Sequence, residues 1–170
     1  NIDRLYPDLK KRVKLHNVAV SREPGVATFY FDKSATGLSS LAKREWSNGH
    51  EVEEMTVKVT TLDKLVKDRP DFVKIDIEGA EYDALCGAKK ILKARPLIAF
   101  EFDPTSPTYF KYTPEDFAGL FHAHDYLITD LFGHAHDSGA ELMAAPLWNF
   151  LAIPRGMDVQ ALVAPARKAV

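Results

Sequence analysis

The stretch FVKIDIEGAEYDAL, residues 72–85, sets Asp76, Glu78, Glu81 and Asp83 within one short span, and Glu101 and Asp103 follow in PLIAFEFD (96–103). Carboxylates grouped in this way can take a proton from a hydroxyl, hold that hydroxyl in place, or bind a divalent cation through oxygen. Side chains alternate along a strand, so Phe72, Lys74 and Asp76 share one face and Val73, Ile75 and Ile77 the other. Lys74 is thus expected inside the sheet, where an unpaired charge costs on the order of several kcal/mol, and Glu101 on the next strand is its expected partner. Asp76 ends a strand, where no helix cap requires it. Glu78 and Glu81 open a helix, whose dipole favours each by roughly 0.3–1 kcal/mol. Asp83 reads as a solvated surface residue.

The elements that position these acids follow from periodicity. VKLHNVAVS (13–21), VATFYFD (26–32) and VEEMTVKVTTL (52–62) read as strands, with a polar loop or lid over 33–50 and a helical turn at 61–65. Ala80, Ala84, Leu85, Ala88, Ile91 and Leu92 form an apolar stripe that predicts one helix running to about Ala94. PLIAFEFD is a strand, TPEDFAGLFHAHD (113–125) a helix capped by Thr113, and 126–133 and 147–154 are two antiparallel strands joined by a loop over 134–146. The opening NIDRLYPDLKKR predicts a helix, and the tail from 156 a terminal helix or frayed end. Strands alternating with helices imply an α/β fold with a mostly parallel sheet and a final antiparallel strand. Ligands of such sheets bind beyond the carboxyl ends of the strands, where Asp76, Glu78, Glu101 and Asp103 fall.

Composition narrows the function classes. The 170 residues suit one domain, and a formal charge of −2 supplies no field for nucleic acid or an anionic membrane. No apolar run reaches the ~18 residues of a spanning helix, and no signal peptide is visible. The one cysteine, Cys86, fits a reducing compartment, which points to the cytoplasm, and reads as a small core residue. HAHD occurs at 122–125 and again at 134–137. Paired His-x-His can ligate zinc. The first copy ends a helix, where alternate side chains diverge, and the second lies in a hairpin loop, so no metal is assigned. His134 or His136 remains an option as a base reaching the pocket. Trp46, Tyr109, Phe110, Tyr112 and Trp148 either line an acceptor pocket or fold back on the core.

TLDKL (61–65), DFVKIDIEGAEYDALCGA (71–88) and RPLIAFEFDP (95–104) together carry a resemblance, with HNVAVS (16–21), TGLSSL (36–41), YLITDLFG and NFLAIP in consistent order around them. This series resembles the FkbM family of S-adenosylmethionine-dependent methyltransferases over residues 1–155. The resemblance implies a Rossmann-like class I methyltransferase sheet, S-adenosyl-L-methionine as cofactor, and methyl transfer to a hydroxyl of a small molecule, sugar, glycolipid or polyketide. It places Asp76 beside the transferred methyl, with Glu78, Glu81 and Lys74 as further catalytic candidates. Ala19, Val20 and Ser21 fall where the fold contacts the adenine, often through backbone groups, and Glu101, Asp103 and Trp46 are the acceptor-side candidates. The implied partner is a small-molecule or saccharide acceptor, with neither nucleic acid nor stable membrane insertion.

One departure stands out. Residues 1–24 contain no glycine, and no Asp-x-Gly-x-x-x-Gly occurs in the chain. The match begins after the second strand of the family's sheet, and the first two strands normally separate the third from the fourth. The expectation is a C-terminal part of a longer protein, with the cofactor cradle upstream. The alternative is a non-catalytic methyltransferase-like module serving in binding or assembly.

Overall fold

The computed structural model describes residues 12–45 and 49–158. The predicted opening helix, Trp46 and the tail beyond 158 lie outside the described residues.

Among the described residues two sheets form instead of one. The smaller takes β1 (Ala19–Val20), β2 (Gly25–Asp32) and β3 (Val52–Thr60) in the order β1-β3-β2. The larger takes β4 (Phe72–Ile75), β5 (Leu97–Glu101), β6 (Tyr126–Asp130) and β7 (Asn149–Pro154) in the order β4-β5-β7-β6. Among the described residues β1·β3 and β4·β5 pair in parallel, while β2·β3, β5·β7 and β6·β7 are antiparallel. The expectation of a mostly parallel sheet is corrected accordingly. β2 and β3 form one long hairpin, and β7 inserts between β5 and β6 against both. β1 and β4 lie in separate sheets, so the two strands share no neighbour.

Strand limits also contract. The stretch 13–21 yields only Ala19–Val20 as strand. α1 (Leu62–Leu65) starts at Thr61, whose hydroxyl accepts from Lys64 N at 3.3 Å. The helix expected to run to Ala94 divides into α2 (Glu81–Cys86) and α3 (Lys89–Ala94). The break falls at a close approach: a Cβ on Gly87 would stand 2.3 Å from the Ser21 carbonyl oxygen. Asp63 N donates to the Gly87 carbonyl at 3.2 Å, and the Asp63 carboxylate accepts from Lys90 N at 3.1 and 3.0 Å, capping α3 from outside. So the Thr-Leu-Asp motif ties the two sheets together at the break.

α4 (Ser106–Phe110) follows β5, and a further helix, α6 (Gly139–Ala144), appears where a loop was expected. Between them, α5 (Pro114–His122) has the predicted Thr113 cap, completed by Asp116 as a reciprocal capping box. One face of the larger sheet carries the core. Ile98, Phe100, Ile128, Phe150 and Ala152 are buried there against Phe117 and Phe121 of α5. Phe100 lies 5.3, 4.9 and 5.6 Å from the ring centres of Phe117, Phe121 and Phe150. The opposite face is open at β4, an edge strand, where Phe72 is 55% exposed.

Candidate active site

The register of β4 on β5 pairs Phe72 with Leu97, Lys74 with Ala99 and Ile75 with Phe100. Continued by one step, Asp76 comes opposite Glu101 on the open face. Their carboxyl groups lie close enough that either, when protonated, could hydrogen-bond the other. Lys74 shares that face and is about half exposed. Its Nζ donates to Asp76 Oδ2 at 2.8 Å. Among the described residues Lys74 is thus half exposed rather than buried, and it pairs with Asp76, two residues on, rather than with Glu101.

Asp76, Glu78 and Glu101 each offer a carboxylate oxygen within 4.8 Å of the others. Oxygen ligands of this kind suit a hard cation. Lys74 on Asp76 and Arg44 on Glu78 already supply the countercharge, so no cation is assigned here. The three acids differ in consequence. The hydrogen bond from Lys74 holds Asp76 below the usual carboxylate range, against its partial burial. Burial raises Glu101, and the Asp76 hydrogen bond with the charges of Asp76, Glu78 and Glu81 adds to this, taking it to about 7. Burial also raises Glu78, although Arg44 works against it.

Glu78 and Gly79 form the turn that leads from β4 to α2. Their φ angles are 57° and 97°, both left-handed. Glycine is required at the second position, because a Cβ on Gly79 would stand 2.4 Å from Ser106 Oγ and 2.8 Å from Phe110 Cε2. The non-glycine residue Glu78 adopts its conformation with support from outside: Ser40 Oγ donates to its carbonyl at 2.8 Å, and Arg44 Nη2 does so at 2.6 Å. Glu81 is 2% exposed, and its Oε1 accepts from Ile77 N at 2.7 Å. Burial raises its pKa while that backbone bond opposes the rise. Glu81 thus braces the turn from beneath.

Asp103 accepts from Thr105 N and its hydroxyl at 2.8–2.9 Å, and lies 3.6 Å from Arg44 Nη1. Asp83 is not a free surface acid: it forms an ion pair with Arg22. Ala19 and Val20 pair with Val59 and Thr60, and Ser21 N donates to Thr60 O at 2.9 Å. Ser21 meets the far end of α2, a six-residue helix and so ~9 Å long, from the acids at its start. A cleft of about 540 Å³ opens beside Ala19, lined by Val18, Phe29, Met55 and Val57 among others.

Sequence reasoning missed Arg44. It lies in the loop nominated as a lid, and only its spacing to TGLSSL marked the segment. The loop is laced down: buried Asp32 accepts from Ser34 N at 2.8 Å, Ala35 N at 3.0 Å and the His50 ring, and Ser40 bridges to Tyr30. Of the aromatics, Tyr112 is core, its ring tilted against that of Tyr82 at 4.6 Å between centres, and Trp148 is half exposed. His134 Nδ1 lies 2.8 Å from Asp130 Oδ2, and His136 Nε2 3.9 Å from the same oxygen. Burial opposes ionisation of Asp130, but the His134 ring and the backbone N–H groups of His134 and Phe132 outweigh it and bring it to about 2. These groups end β6, two strands from Glu101 and so ~10 Å along the sheet.

Acids gathered at the carboxyl ends of neighbouring parallel strands are the arrangement by which α/β proteins hold ligands. The chain belongs to the FkbM methyltransferase family: the profile of the Methyltransferase FkbM domain matches residues 4–128. Among solved structures it is similar to the methyltransferase FkbM of Methylobacillus flagellatus KT, at 19% identity and a TM-score of 0.50. That likeness covers 89% of this chain and 32% of the other, so the chain spans about a third of its structural neighbour. No curated protein matches the chain. Among the described residues, no helix is long and apolar enough to cross a membrane.

Proposed function

We propose that this chain supplies the proton-handling side of an S-adenosylmethionine-dependent O-methyltransferase acting on a hydroxyl of a small molecule, sugar, glycolipid or polyketide. Family membership supports methyl transfer. The observation that carries the hydroxyl assignment is the Asp76–Glu101 pair at the ends of β4 and β5.

Two coupled carboxyl groups titrate as a unit, and a group near neutrality balances availability against driving force. With Asp76 held ionised by Lys74 and Glu101 at about 7, the pair gains or loses one proton in the working range. In its ionised form it accepts the acceptor hydroxyl's proton, leaving the oxygen lone pair to form the new bond. The cofactor, when bound, supplies an electrophilic methyl on a sulfonium. The cleft beside Ala19 mixes apolar Val18, Phe29, Met55 and Val57 with polar His16, Asn17, Thr56 and Lys58, a lining compatible with a flat ring that carries polar edges, whereas the N–H of Ser21 is already used by Thr60. The fit therefore extends to the adenine side only. We read the remaining cradle as lying in sequence upstream of Asn1, and the finer Rossmann-like sheet as completed there, between β1 and β4.

Calorimetry with S-adenosylhomocysteine on the protein expressed from its complete reading frame tests this. Stoichiometric binding is the expected result. Absence of binding by that protein would contradict methyl transfer and favour a module that has kept the fold for binding or assembly.

A further inference from the structure

We infer that Arg44 is the positioning residue of this site: it holds the Glu78–Gly79 turn and sets a positive charge against Glu78 and Asp103, beside the Asp76–Glu101 pair. The inference rests on the methyl-transfer reading for the identity of the proton that this pair handles, but its geometry stands apart from it.

Arg44 reaches the site from a segment that is tied down at its root by Asp32 and in its middle by Ser40. Its side chain is 14% exposed, and a charge at that depth requires partners. It has three oxygens: the Glu78 carbonyl at 2.6 Å, Glu78 Oε2 at 3.3 Å and Asp103 Oδ2 at 3.6 Å. Among the described residues buried Nε has no hydrogen-bond partner, and the contacts of the guanidinium run through its two terminal nitrogens. Such a fork can serve the turn and two carboxylates together, whereas a lysine ammonium is a single point charge. The two carboxylates are themselves mostly buried, at 21% and 12% exposure, which separates this contact from a screened surface pair.

The turn depends on that hold. Glu78 at φ 57° sits in a region that a side chain enters only when its surroundings insist. Ser40 and Arg44 supply that insistence at the carbonyl, and Ser106 and Phe110 close against Gly79 from the other side. Electrostatically, Glu78 faces Asp76 and Asp103, and Glu101 faces Asp76, Glu78 and Glu81. All these neighbours act in one direction, and Arg44 is the cation set against them at Glu78.

Carboxyl carbon-13 NMR titration of the chain tests the inference in wild type, Arg44→Gln, Arg44→Lys and Asp103→Asn. Loss of the guanidinium in Arg44→Gln should move the Glu78 midpoint upward by about one unit and the pair's midpoint in the same direction by less. Arg44→Lys should restore part of the Glu78 shift. Asp103→Asn, which leaves Arg44 to Glu78 alone, should lower the Glu78 midpoint, and this readout serves if Arg44→Gln fails to fold. Unchanged midpoints in Arg44→Gln, or in Asp103→Asn, would overturn the inference. In the protein from the complete reading frame, the pH profile of methyl transfer should move with the pair's midpoint. Absence of methyl transfer in wild type, with the NMR shifts as expected, would contradict the proposed function and leave the positioning role standing.

Discussion

Asp76 and Glu101 stand opposite each other at the ends of two neighbouring parallel strands, their carboxylate oxygens within 4.8 Å, yet their environments push them apart. Lys74 holds the first in its ionised form, while burial and adjacent acids hold the second protonated up to about 7. Opposed environments of this kind mark an acid–base pair.

Stability should fall as pH rises through this window. In the unfolded chain Glu101 returns to its ordinary value of 4.5, so between there and about 7 the folded state carries more proton than the unfolded one. Its contribution is fully present below 4.5 and lost by about 7. Thermal melts at pH 5 and pH 8 should therefore differ more in wild type than in Glu101→Gln. An equal difference in the two proteins would show that Glu101 has an ordinary carboxylate pKa.

Lys74→Met removes the hydrogen bond that keeps Asp76 ionised. The Asp76 midpoint is expected to rise, as read by carboxyl NMR. Stability should change by less than about 1 kcal/mol, because the pair stands in solvent. A loss of several kcal/mol in urea unfolding would mean that Lys74 is more enclosed than the open edge allows.

Gly87 and Gly119 make a matched contrast. A methyl at Gly87 meets the Ser21 backbone at 2.3 Å, whereas one at Gly119 meets nothing within 4 Å. Gly87→Ala should lose about 1–3 kcal/mol, since backbone cannot rotate aside. Gly119→Ala, in the exposed middle of α5, should gain about 0.4–1 kcal/mol. Chemical denaturation of both variants checks the pair. Equal effects would mean that β1 does not dock into the break between α2 and α3.

Local signals were readable in the sequence. The alternation of 72–77 gave the correct faces for Lys74 and Asp76, and Thr113-Pro114 gave the start of α5. Burial of Lys74 was not readable, because alternation shows which residues share a face and not whether anything covers it. The stripe from Ala80 to Leu92 suggested one helix, since the approach of Ser21 to Gly87 is a contact over 66 positions that no local period records. Glu81 was grouped with the pocket acids, yet its burial and its bond to Ile77 N depend on how the turn closes. Arg44 was missed for the same reason: a lone arginine in a polar loop carries no pattern. By contrast, the helix at Gly139–Ala144 has a local sign in the sequence: Ser138 followed by Glu141 is the start of a helix.

Single-turnover methyl transfer with Asp76→Asn, in the protein from the complete reading frame, tests the central claim most directly. The substitution keeps the shape of the side chain and removes the ionised half of the pair. The account predicts a fall in methyl-transfer rate of about 100-fold or more, with S-adenosylhomocysteine affinity nearly unchanged. Wild-type rates in Asp76→Asn would contradict it.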